Sequence, residues 1–189
     1  MGGLLLTPGA GAGRDQEQLV AIDDALTAEG WVVERMDFPY RKAGRRAPDR
    51  APVLMEAVRE GAAALAASSG LDPSEIILGG RSMGGRMCSM AVAEGVPAAG
   101  LALISYPLHP PGRPEKQVER TAHFPRLHLP CLFISGTKDA FGTPEEMKSA
   151  TRSIPGEVVH EWIDGADHSL RGQSVQVVHG LKVWAHTVR

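Results

Sequence analysis

The sequence predicts an α/β protein built on an open, mostly parallel sheet of six strands, with helices on both faces. Three observations lead there. Short, wholly apolar runs alternate along the chain with segments whose apolar residues recur at helical spacing. Those runs lack the in-and-out alternation of a half-exposed strand, which places them in strands buried on both faces. Residues with obvious chemistry follow the runs, at the carboxyl edge where open parallel sheets bind their ligands.

The first run, Gly3–Thr7, reads as a buried strand stopped by Pro8, and a glycine-rich loop, Pro8–Gly13, comes next. Gln16–Glu29 carries Leu19, Ile22 and Leu26 on one helical face, and Gly30 closes that helix. Trp31–Phe38 is the second expected strand, ended by Pro39, before a basic, irregular loop over Tyr40–Arg50. Leu54, Ala57, Val58, Ala62 and Leu65 mark a helix from Pro52 to about Gly70. After the turn at Asp72-Pro73, Ile76-Ile77-Leu78-Gly79 forms a third strand, with a helix-compatible segment from Met87 onward. Gly100–Ser105 is a fourth strand. The long connection Tyr106–Pro130, rich in proline, cannot be an ordinary helix through its first half. Cys131–Ser135 is the fifth strand, and Thr143-Pro144-Glu145-Glu146 has the composition of a capped helix start. Glu157–Ile163 is the last strand, followed by a helix marked by Val177, Leu181, Trp184 and Val188.

A chain of 189 residues that is 43% hydrophobic suits a single globular domain over 1–189 with a sizeable core. Its formal net charge of −2 points to neither nucleic acid nor an anionic membrane as a partner. Cys88 and Cys131 lie in apolar segments without metal-ligand spacing, so they read as buried thiols of a reducing compartment. The N-terminal stretch lacks the basic segment and apolar length of a signal peptide, and no segment is long enough to span a membrane. A cytoplasmic protein is the expectation.

Chemistry concentrates at Gly80-Arg81-Ser82-Met83-Gly84, which fits G-x-S-x-G between an apolar strand and a helix. In that setting the serine sits on a strained turn with its hydroxyl pushed outward, and its near neighbours must be small. The bland alternative is a glycine-rich turn that only permits close packing. A serine hydroxyl needs an adjacent base, and the base needs an orienting acid. In chain order, Asp139 follows the fifth strand and His168 follows the sixth. Asp167 adjoins His168 too closely in sequence to orient it, and Asp164 suits a turn. His123, His128, His160, His179 and His186 are expected to be surface or structural residues. The oxyanion would take one N–H from Met83 and a second from the loop after the first strand, where Pro8 has none and Ala10 or Gly9 is the candidate. Gly9–Gly13 does not complete a dinucleotide fingerprint, because Arg14 stands where its last glycine is needed. No metal spacing occurs, and no cofactor is expected.

With those residues assigned, the chain resembles small, lidless α/β-hydrolases of the dienelactone-hydrolase-like group. It is most similar there to a subfamily that includes a subunit of the non-specific-lethal chromatin complex. The similarity lies in Thr7–Gly13, Phe38-Pro39-Tyr40, Gly79–Gly85, Ser105–Gly112, Phe133–Asp139 and Asp167-His168-Ser169. It implies Ser82 as nucleophile, Asp139 as acid and His168 as base, a strand order 2-1-3-4-5-6, no cap, and loss of the two N-terminal antiparallel strands. Two departures stand out: Pro8-Gly9 replaces the usual His-Gly, and Ser82 replaces the cysteine of dienelactone hydrolases proper. The Tyr106–Arg113 stretch supplies the expected substrate contacts Tyr106, His109 and Arg113. The expected function is a serine hydrolase of a small acyl ester, thioester or lactone; the alternative is an inactive fold kept as a binding scaffold. Basic residues in three loops (Arg14; Arg41, Lys42, Arg45 and Arg46; Arg113) raise the expectation of an anionic substrate, with Arg113 as the first choice to bind it.

Overall fold

The computed structural model describes residues 2–188; Met1 and Arg189 lie outside it. Six strands form one sheet: β1 (Gly3–Thr7), β2 (Val32–Arg35), β3 (Ile76–Arg81), β4 (Gly100–Ile104), β5 (Cys131–Gly136) and β6 (Val158–Ile163). They lie in the order β2-β1-β3-β4-β5-β6, and every neighbouring pair is parallel. The helices between them are α1 (Glu17–Thr27), α2 (Pro39–Lys42), α3 (Ala51–Ser69), α4 (Met83–Ala93), α5 (Gln117–Thr121) and α6 (Pro144–Thr151), and α7 (Ser174–Ala185) follows β6. This is the α/β-hydrolase fold, all-parallel where a mostly parallel sheet was expected, and no cap is inserted among the described residues.

Burial explains the apolar runs. Every residue of β1, β4 and β5 is buried, whereas the edge strand β2 alternates between exposed and half-buried positions. The two-residue period of a strand sends neighbours to opposite faces. Leu5 joins the core beneath α3 and α4, with Leu54, Val58 and Met87; Leu4 and Leu6 join the other core, with Leu19, Ile22, Leu181 and Trp184 of α1 and α7. Each fully buried leucine contributes about 1.5–3 kcal/mol over an exposed one.

Several boundaries differ from the sequence reading. The second strand ends at Arg35, because Pro39 takes the first position of a short helix that buries Tyr40 against Phe38. The basic loop therefore starts as α2. The Tyr106–Pro130 connection holds α5 and two 3₁₀ turns, and it is anchored by Leu108, Phe124 and Leu127, all fully buried. Val188 packs in the core beyond the end of α7. The cap at Thr143 forms as expected: Glu146 N–H donates to Thr143 Oγ1 at 3.2 Å, and Thr143 N–H donates to Glu146 Oε2 at 2.8 Å.

The strand order places the site. From β1 the chain steps outward to β2, returns past β1 to β3, and then proceeds one way to β6. The order reverses between β1 and β3, so the loops leaving those strands part there, at the carboxyl edge where open parallel sheets bind their ligands.

Candidate active site

Ser82 follows β3 directly and forms the N-cap of α4, with φ 51° and ψ −117°. A non-glycine residue in that region stores about 1–3 kcal/mol of strain and persists only where its surroundings fix it. Here Ser82 N–H donates to Ile104 O at 2.8 Å, and Ser82 O accepts from Arg86 N–H at 3.1 Å. The flanking glycines are needed because the end of β1 runs against the turn. A Cβ on Gly80 would lie 2.7 Å from Thr7 O, and one on Gly84 would lie 2.6 Å from Pro8 O.

The imidazole comes from the loop after β6 and the carboxylate from the loop after β5. Ser82 Oγ lies 2.9 Å from His168 Nε2, and His168 Nδ1 lies 2.8 Å and 3.0 Å from the two oxygens of Asp139. An ionised carboxylate only accepts, so Nδ1 carries the proton and Nε2 is left to accept from the serine hydroxyl. Asp139 is buried, and its Oδ1 also accepts from Phe141 N–H at 2.8 Å. The two loops are locked together by Lys138 N–H donating to Ala166 O at 2.9 Å. Phe141 stacks on the His168 ring. Hydroxyl, imidazole and carboxylate thus form one hydrogen-bonded chain able to draw a proton from the serine.

The loop after β1 is held by side chains. Gly9 N–H donates to Gln16 Oε1 at 3.0 Å, and Gly11 N–H donates to the Tyr40 hydroxyl at 3.0 Å. Gly9 is therefore committed and is removed as an oxyanion donor. Ala10 lies between the two pins on an exposed turn, and its N–H meets no acceptor among the described residues. Met83 opens α4, so its N–H has no intrahelical partner.

Three expected substrate contacts sit elsewhere. Tyr106 is in the core: it packs on Phe124 and Phe133, its hydroxyl donates to Arg120 O at 2.6 Å, and burial pushes its pKa up. His109 is 5% exposed and bridges Pro110 O at 2.9 Å and Glu146 Oε2 at 3.3 Å, clipping the proline-rich loop to α6. Arg113 turns to Glu115 Oε1 at 3.1 Å on an exposed surface. Arg14 faces Glu34 at 3.8 Å and Arg45 faces Asp49 at 2.7 Å, so the basic loops are partly neutralised by their own acids. Sequence reasoning missed Arg81, whose Nη2 donates to His168 O at 2.6 Å, and Phe141. The glycine and serine pattern around Arg81 gives no hint of where its side chain goes.

The competing residues are otherwise engaged. Asp164 Oδ1 accepts from Thr137 Oγ1 at 3.1 Å, and Asp167 Oδ1 accepts from Ser169 N–H and hydroxyl at 2.8 Å and 2.6 Å. His123 is buried against Ser89 Oγ at 2.8 Å; desolvation, with Arg86 and Arg126 nearby, pulls its pKa down to about 4. His160 stacks on Trp162, and His186 pairs with Glu29. Cys88 and Cys131 are free, and burial raises both thiols to about 12. Among the described residues no group of three or more His, Cys, Asp or Glu is placed to hold a metal, and no helix is long and apolar enough to cross a membrane.

The same fold recurs in solved structures. A thermophilic esterase from Thermogutta terrifontis, in a malate-bound structure, superposes with a TM-score of 0.75 at 24% identity, covering 100% of this chain and 90% of its own. A dienelactone hydrolase from Anabaena variabilis gives 0.74 at 16% identity, with 98% and 84% covered. The esterase Est1E from Butyrivibrio proteoclasticus, with ferulic acid bound, gives 0.73 at 15% identity, with 100% and 89% covered. At these identities the likeness is one of fold. The model of the family described as "Alpha/beta hydrolase domain" matches residues 2–189, and the chain belongs to that family.

Proposed function

We propose that residues 1–189 form a single α/β-hydrolase domain that acts as a serine hydrolase, cleaving an ester, thioester or lactone through an acyl-enzyme on Ser82. The observation that carries this reading is the unbroken chain from Ser82 Oγ to His168 to Asp139, with each link at 3.0 Å or less, on a strained turn at the carboxyl end of β3. His168 Nε2 takes the hydroxyl proton as Oγ attacks the acyl carbon, while Asp139 keeps Nδ1–H in place and stabilises the imidazolium. The N–H groups of Met83 and Ala10 receive the oxyanion. His168 then returns the proton to the leaving oxygen or sulfur, and a water repeats the sequence to free the acid.

A small acyl substrate is in keeping with the solved relative that holds ferulic acid. Kinship with the dienelactone-hydrolase-like group is part of the proposal, and the free, buried thiols support a cytoplasmic setting. No observation on the site favours the alternative of an inactive scaffold, and none of the relatives named above is a chromatin protein. The test is labelling with a fluorophosphonate probe, which reports an activated serine without knowledge of the substrate. Wild type should label at Ser82 and hydrolyse short p-nitrophenyl esters, and Ser82→Ala should do neither. Equal labelling of the two proteins removes the proposal.

A further inference from the structure

Arg81 is the last residue of β3, and its backbone is registered against Ile104 of β4, so its root is fixed in the sheet. Its guanidinium is largely buried between two loops of the site. Nη2 donates to His168 O at 2.6 Å, and Nη1 lies beside Gly9, 3.4 Å from where a Cβ on that glycine would be. The next two carbonyls of the same segment, Ser169 O and Leu170 O, accept from Gln18 Nε2 at 3.4 Å and 3.2 Å. Arg81 thus supplies the main-chain anchor of His168 itself, one residue away from the serine that His168 must reach. Desolvation lowers the pKa of Arg81, and the charges of Asp139 and Asp167 act in the opposite direction.

We infer that Arg81 is the positioning residue for the base: it ties the His168 segment to the nucleophile's own strand and holds Nε2 within reach of Ser82 Oγ. The inference rests on the hydrolase reading above. A guanidinium suits this role because its planar head holds a fixed donor direction toward His168 O with its other terminal nitrogen beside Gly9, whereas lysine offers a rotating point charge. Geometry is what the role protects. Asp139 at Nδ1 and the Phe141 stack act on the imidazole ring and not on its main chain, and a shift of that main chain would lengthen the Ser82 contact while leaving substrate binding alone.

The test uses Arg81→Met, which keeps an unbranched apolar stem but neither the donors nor the charge, and Arg81→Lys. Turnover of p-nitrophenyl acetate is measured together with the low-field proton NMR resonance of the His168 Nδ1–H held by Asp139, a signal that needs no turnover. In Arg81→Met, kcat should fall on the order of 10²-fold with KM nearly constant, and the low-field resonance should broaden or vanish. Arg81→Lys should lose about tenfold in kcat, again at constant KM, because charge and one donor remain. Thermal melting identifies a variant that has failed to fold; if Arg81→Met does, Arg81→Lys decides alone. Unchanged kcat and resonance in a folded variant overturn the inference, and so does a rise in KM at constant kcat, which would make Arg81 a substrate contact. If the wild type neither labels nor turns over, the hydrolase reading fails, and the resonance by itself still decides whether Arg81 holds His168.

Discussion

The ring of Phe141 lies 4.0 Å from that of His168, with the planes 28° from parallel. The same residue donates its N–H to Asp139 Oδ1 at 2.8 Å and accepts His109 N–H on its carbonyl at 3.1 Å. One side chain therefore covers a face of His168, while its backbone holds Asp139 and ties the proline-rich loop to both. The main-chain N–H of His109 is thus joined to the same residue that contacts Asp139 and His168.

Removing the ring should cost turnover. An aromatic face would favour the imidazolium that the proposed reaction forms at His168. Phe141→Ala is expected to lower kcat about tenfold, or roughly 1.4 kcal/mol, with Phe141→Leu in between because it restores packing without the π face. Steady-state kinetics on a p-nitrophenyl ester separate the three proteins. Identical kcat values in all of them would leave the stack a packing contact only.

The two nearby carboxylates should rank clearly. Asp139 touches Nδ1, whereas Asp167 is spent on Ser169. Asp139→Asn is expected to lower kcat by about 10⁴, because the imidazole loses both its correct tautomer and the partner of its charged form. Asp167→Asn should change kcat little. The reverse ranking would reassign the acid.

The divide between what the sequence disclosed and what it hid follows the physics of each signal. Strands β1, β3, β4 and β5 were legible because burial on both faces leaves a continuous apolar run, and Ser82 was legible because the close approach of Thr7 and Pro8 demands glycines at fixed spacing. Asp139 and His168 followed from strand ends and chain order. Hidden were contacts made by long side chains across the fold. Arg81 reaches a loop 87 residues away, and Tyr106 looked like a site residue because it follows β4, although its ring turns down into Phe124 and Phe133. Arg113 was placed on its loop correctly, but its guanidinium is held by a neighbour two residues on.

Buried His123 links stability to pH. Its pKa is lowered from 6.5 to about 4, first by desolvation and then by Arg86 and Arg126. The unfolded chain therefore binds the extra proton first as pH falls. The stabilising effect of the neutral ring is full above pH 6.5, declines as pH drops toward 4, and levels off below. At pH 5 the loss amounts to about 2 kcal/mol. His123→Gln, which can still bond Ser89, should flatten the dependence between pH 7 and pH 5 in urea unfolding. An equally steep dependence in the variant would assign the effect to other groups.

The elbow glycines admit no side chain. A Cβ on Gly84 would lie 2.6 Å from both Pro8 O and Thr7 O, and backbone at that spot cannot swing aside. Gly84→Ala is expected to destabilise the protein by about 3 kcal/mol or more, at or beyond the upper end for overpacking. The melting temperature measures it, and a wild-type value would mean that the end of β1 yields more readily than the packing implies.

The pins on the loop after β1 offer a sharper test of the oxyanion assignment than replacing Ala10, whose contribution is a main-chain N–H that no side-chain change removes cleanly. Gln16 Oε1 takes the N–H of Gly9, and the Tyr40 hydroxyl takes that of Gly11, so the residue between them is held with its own N–H free. Pro8 contributes no N–H to this loop, which is held from Gln16 and Tyr40. Loss of a whole oxyanion donor costs about 10²–10³ in kcat, so loosening one pin should cost a part of that, roughly tenfold for Gln16→Leu. Tyr40→Phe keeps the buried ring and removes one acceptor, and its effect should be of the same kind. In both variants KM should hold steady, because the oxyanion contact strengthens only as the tetrahedral state forms. Combining the two should cost less than the product of the single effects, since both act through one N–H. A rise in KM at constant kcat would show that the loop binds the substrate's ground state, and Ala10 would then lose its role as donor.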